Sequence, residues 1–168
     1  MNRSGIAVSL VVLLSALAAY AQSSSQRSFD SIKALAGHWE GKGEMNEPVH
    51  VSFKLTAGGS AVMSEITSQM HGKSDDMITM FNLDGDRLLM THYCETGNQP
   101  RMKASTSPDG KTLTFDFVDA TNLTAAQPGH MQRVVFTLID SNHHTEEWHF
   151  ATGTGNEIVR TFELQKKS

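Results

Sequence analysis

From Gly37 onward the sequence breaks into short stretches of alternating apolar and polar residues, punctuated by Gly, Asn, Asp and Pro. No other feature constrains the fold as strongly. Side chains of a strand alternate between two faces, so each stretch can bury only one of them. Many short strands with turn signals at intervals of roughly ten residues define an antiparallel barrel or sandwich. Strands are expected near 38–45, 48–56, 60–70, 76–83, 87–95, 101–106, 111–118, 130–139, 144–151 and 157–165. The one convincing helical piece is Ser28 to Ala36, where Phe29, Ile32 and Leu35 recur every third residue. The expected fold is all-β: an antiparallel meander β-barrel of about ten strands, one end closed by the short N-terminal helix.

Turn signals also fix which side chains share a face, because directly opposed residues of an antiparallel pair point the same way. Asp84-Gly85 suits a two-residue turn that pairs Phe81 with Leu88 and Thr79 with Met90. His92 and Cys94 follow on that face. Asp109-Gly110, after Pro108, pairs Thr106 with Leu113 and Ala104 with Phe115, and brings Phe117 in. A loop spanning Thr96 to Pro100 sets Cys94 opposite Met102, whereas a loop one residue shorter would turn Lys103 inward beside His92. The longer loop keeps every apolar side chain together. The interior wall is then Met77, Thr79, Phe81, Leu88, Met90, His92, Cys94, Met102, Ala104, Leu113, Phe115 and Phe117. Roughly eight strands suffice to hold side chains or one small ligand, so a larger barrel predicts a cavity.

The first residues read as an export signal. Arg3 supplies a short positive region, Ile6 to Ala19 an apolar run, and Ala19-Tyr20-Ala21 a small-x-small cleavage pattern. The run is too short for a membrane span. The chain therefore divides into a signal peptide (1–21), a polar Ser/Gln tether expected to be disordered (22–27), and a barrel domain (28–168). Cleavage leaves a chain long enough to bury roughly two-thirds of its unfolded surface without disulfides or metal. The formal charge is −4, and losing Arg3 makes it one unit more negative. A mildly acidic chain has no electrostatic footprint for nucleic acid. The expected location is periplasmic or secreted.

Gly37-His38-Trp39-Glu40-Gly41-Lys42-Gly43 follows the helical piece and opens the first strand. This segment resembles the start of calycin-superfamily barrels. A Gly-x-Trp after a short helical turn is similar to lipocalins, and the longer Gly-x-Trp-x-Gly-x-Gly to nitrobindin-like haem barrels. The resemblance implies an indole plug at one end, with a basic residue of the last strand stacked on it. Arg160, in Ile158-Val159-Arg160-Thr161-Phe162, is the matching position. The stretch from His92 to Met102 also resembles exported bacterial lipocalin-like proteins of unassigned activity.

Candidate chemistry concentrates on the inward face. His92 sits among apolar neighbours, where an imidazole either binds a ligand or haem iron or is a satisfied core histidine. Cys94 shares its face, and an inert buried thiol is the plainer reading, with no third residue to orient a nucleophile. Along His143-His144-Thr145-Glu146-Glu147-Trp148-His149, strand alternation turns His144, Glu146 and Trp148 one way and His143, Glu147 and His149 the other. That split argues against a single metal site. The long connection from Ala120 to His130 is placed to cover the barrel mouth. No phosphate loop, nucleophile elbow or zinc-protease motif is present.

The expected function is an exported lipocalin-like barrel binding a small, mostly apolar molecule. Phe81, Met90, His92, Cys94, Phe115 and Trp148 would line the site, with His130 and Glu146 as polar handles near an opening. A binding role is favoured over an enzymatic one. Two alternatives stand beside it: a haem-binding barrel, for which the nitrobindin-like resemblance implies an axial histidine on the last strand that Ile158–Leu164 lacks, so that His92 or His149 would have to replace it, and a side-chain-filled barrel serving in envelope protein contacts.

Overall fold

Chain reversals fall where glycine relieves the backbone. In the computed structural model, which describes residues 22–43, 46–70 and 73–167, Gly85, Gly97, Gly110 and Gly153 all have positive φ. Between reversals run β1 (Gly37–Lys42), β2 (Pro48–Thr56), β3 (Ala61–Met70), β4 (Lys73–Asp84) and β5 (Arg87–Tyr93). They continue as β6 (Gln99–Thr106), β7 (Thr112–Thr121), β8 (His130–Leu138), β9 (His143–Ala151) and β10 (Glu157–Lys166). Each strand pairs antiparallel with the next, and β1 closes on β10 to complete the barrel. The expected meander is borne out. The expected signal peptide, and positions 44–45 of the first expected strand, lie outside the described residues.

Helix α1 (Ser24–Ala34) precedes the barrel. It starts earlier than expected, which corrects the disordered tether: Ser23 is its N-cap, its hydroxyl accepting from the Gln26 amide, and Ser24–Arg27 form the first turn. A serine-rich stretch reads as disorder by composition, yet serine is also a preferred N-cap. The apolar stripe is as expected. Phe29, Ile32 and Leu35 are buried in the barrel core, and Ser28 Oγ bonds Thr106 Oγ1 at the end of β6 (2.7 Å).

The expected facing holds along β4, β5 and β6, but Phe117, expected on the inner wall, lies against His130 outside the core cluster, and two registers are corrected. The β4–β5 reversal is Gly85-Asp86, not Asp84-Gly85, so Phe81 pairs with Met90 and Thr79 with His92. Positive φ at Gly85 with none at Asp86 fits a turn of type II′. Between β5 and β6 pairing stops at Thr91 and Arg101, so the unpaired excursion is longer than expected, and Met90 rather than Cys94 opposes Met102. Both slips are by an even number of residues, so every side chain keeps its face. The β6–β7 pairs Thr106 with Leu113 and Ala104 with Phe115 are as expected.

Trp39 is buried at the helix end, its indole N–H donating to the Leu35 carbonyl (2.7 Å). The cation over it is Lys166, with Nζ 5.3 Å from the ring centroid. This corrects the plug partner: Arg160 lies six residues earlier on β10, opposite Trp148. The β1–β10 seam is short, joining Trp39–Lys42 to Glu163–Lys166. Gly41 makes it possible, because a Cβ there would sit 1.9 Å from the Glu163 carbonyl oxygen. One glycine of the Gly-x-Trp-x-Gly segment thus has a packing cause.

Candidate functional site

Alternation along β9 sends His144, Glu146, Trp148 and Phe150 inward, in layers from the Trp39 end to the opposite mouth. The lower layers are filled. Phe81, Phe115 and Phe136 meet edge to face at centroid separations of 5.5 to 5.9 Å. Trp39 meets the His144 ring at 4.3 Å and 85°. His144 and Glu146 are wholly buried, and His144 Nε2 shares a hydrogen bond with Glu146 Oε1 (3.0 Å). Trp148 Nε1–H donates to the other carboxylate oxygen (3.0 Å). One carboxylate thereby fixes two rings, and its second bond sets the tilt of the indole at the next layer up.

His92 lies beside that indole, with ring centroids 4.8 Å apart. Its Nδ1 bonds Thr79 Oγ1 (2.9 Å), while Nε2 is buried without a partner among the described residues. Burial holds the imidazole neutral by lowering its pKa from 6.5 to about 4, since charging it would cost its solvation.

Above Trp148 the packing stops. A hollow of about 250 Å³ opens at the mouth, with Met77, Met131, Trp148, Phe150 and Phe162 as its apolar walls. Cys94, Thr96, Ile158, Arg160 and the exposed Glu95 complete the lining. The loop after β7 packs at this end: Gly129 sits against Phe150, and its carbonyl accepts from the buried Asn98 amide (2.7 Å). A larger depression, about 740 Å³, overlies the β1–β10 seam and is open to solvent among Glu40, Lys42, His143, Glu163 and Gln165. Charged and polar outward-facing side chains interrupt its apolar surface, whereas the mouth is walled almost wholly by apolar groups, so the mouth is the better candidate.

Of the residues singled out in the sequence, the structure brings Cys94 and Trp148 together in the mouth hollow. Phe81, Met90 and Phe115 lie deeper, fully buried in the core, and His92 is buried behind Trp148. Glu146 is not near an opening, which corrects its assignment as a rim handle: both oxygens are engaged in the interior. His130 stands at the start of β8 against Phe117, lining a separate depression with Asp116, Arg133 and Glu157. Met131, Phe162 and Arg160 were missed as site residues. The inward alternation Arg160, Phe162, Leu164 was the signal that could have placed the two on β10, and the alternation of β8 could have placed Met131.

No protein-family model and no curated protein matches the chain. Among solved structures, that of Rv2717c from M. tuberculosis is similar, with a TM-score of 0.64. The match covers 84% of this chain and 98% of that one at 11% identity. The likeness is one of fold, a closed antiparallel barrel. Among the described residues no helix is long and apolar enough to cross a membrane, and no three His, Cys, Asp or Glu side chains group to hold a metal ion.

Proposed function

We propose that this chain is an exported, lipocalin-like barrel that binds a small, mostly apolar molecule at its mouth. The observation that carries the reading is the hollow above Trp148, where apolar walls stand open while the layers beneath are packed. A concave, largely apolar site with few polar groups is the usual form of a small-molecule pocket. The binding region proposed from the sequence thus moves outward, from the Phe81–Phe115 layer to the rim of Trp148 and Cys94.

Haem does not fit this arrangement. His92 is buried behind Trp148 with its Nδ1 engaged. His149 stands on the outer face between Glu147 and Glu157. Neither imidazole is offered to the hollow. A protein-contact role draws support from the filled lower barrel and from Ile78 and Tyr93, an opposed pair left exposed on the outer wall.

Cys94, the sole cysteine, is a built-in reporter. Native protein incubated with a panel of apolar compounds and then with an alkylating reagent should show slowed modification by intact mass when a ligand fills the hollow. Unchanged modification across the panel, with no rise in melting temperature, would count against the reading and favour the outer wall. Export is tested by N-terminal sequencing of secreted protein. Gln22 is the expected first residue, which would leave the Ser23 cap intact.

A further inference from the structure

The charge of the ligand is written on the last strand. Four of the five described arginines are satisfied: Arg87 by Asp84, Arg101 by Asp119, Arg133 by Asp116, and Arg27 by the Gln22 carbonyl. Arg160 forms neither an ion pair nor a side-chain hydrogen bond among the described residues. It is also the arginine set on the inner face, half-buried, opposite Trp148 and lining the mouth hollow. Glu95 lines the same hollow but is exposed at the rim and not within ion-pair distance. A cation partly withdrawn from water beside apolar walls is costly unless an anion meets it. A guanidinium offers two parallel N–H donors, the geometry that matches a carboxylate.

We propose that Arg160 makes the mouth hollow selective for small apolar molecules bearing a single carboxylate, the apolar part lying against Trp148, Phe150 and Phe162. The proposal rests on the binding function above and adds the charge of the ligand. A single guanidinium balances a monoanion, whereas a phosphate dianion would leave charge uncompensated next to Glu95. The hollow, about 250 Å³, suits a compact acid.

Titration calorimetry with octanoate and its methyl ester tests this on the intact protein at neutral pH. Octanoate should bind roughly tenfold or more tightly than the ester, the range of a charge-assisted hydrogen bond in a partly dry site. Its affinity should fall with added salt while that of the ester stays level. R160M should remove the preference by weakening octanoate alone, and R160K should retain part of it. Because Arg160 holds no partner among the described residues, both variants should melt near the parent temperature. Equal affinity for acid and ester, or a preference that survives R160M, would overturn the proposal while leaving the pocket standing. If neither compound binds and Cys94 is unprotected, the pocket itself falls, and this proposal with it.

Discussion

His92 makes the stability of this barrel sensitive to mild acid in a way that can be worked through. In the folded chain its pKa is lowered to about 4 by burial, with no charged group bonded to either ring nitrogen. In the unfolded chain it returns to 6.5. Between these values the unfolded state binds the extra proton, so stability is full above pH 6.5 and is lost as pH falls toward 4. At about 1.4 kcal/mol per pH unit, the gap amounts to about 3 kcal/mol. The assay is urea denaturation at a series of pH values from 7.5 to 4, run on the parent and on His92→Phe. All other titrating groups are common to both proteins and cancel in the difference. His92→Phe should keep folding, lose stability for Thr79 left without its partner, and show a pH dependence flatter by about 3 kcal/mol across the window. Should Phe prove too large beside Trp148, His92→Leu serves the same comparison. Parallel pH profiles for parent and variant would refute the assignment of His92 as a buried neutral core residue.

Three further outcomes are expected. Gly41→Ala should destabilise by roughly 1–3 kcal/mol or more, because the new methyl meets the Glu163 carbonyl across the seam, and thermal melting measures it. Glu146→Leu should cost about 3–5 kcal/mol by stranding His144 and the Trp148 indole N–H, whereas Glu146→Gln should cost less; the indole proton shift in NMR reports which bond survives. Trp39→Ala should cost about 3–5 kcal/mol, and a double-mutant cycle should couple it to Lys166 by about 0.5–1 kcal/mol but not to Arg160.

The fold was legible because turn chemistry and alternation agree along most of the barrel, and because register errors of two and four residues leave facing unchanged. Phe81, Met90, His92 and Phe115 could be placed inside without knowing which residue lay opposite. Depth was not legible. Alternation reports which face a residue occupies, not its height along the barrel, so core residues and mouth residues entered the candidate site together. Glu146 looked like a polar handle since nothing local in its strand names Trp148 Nε1 and His144 as partners that engage both its oxygens. Arg160 was assigned to the wrong end by a resemblance, although antiparallel closure alone argues otherwise. Trp39 begins the first strand and must therefore face the finish of the last, where Lys166 lies.

The short seam has a consequence for how the chain reaches this state. Nine of the ten pairings join sequence neighbours and need only small loops to close. The tenth brings Trp39–Lys42 to Glu163–Lys166, from opposite ends of the barrel sequence. Loop-closure entropy makes such a contact the slowest to gain. During synthesis the final strand leaves the ribosome last, so the growing sheet carries two unpaired borders until then, the condition under which edges find the wrong neighbour. Glu40 and Lys42 on one border, and Glu163 and Lys166 on the other, place ionic groups along those waiting edges. The same residues that stitch the ring shut thus guard it against stitching to another copy.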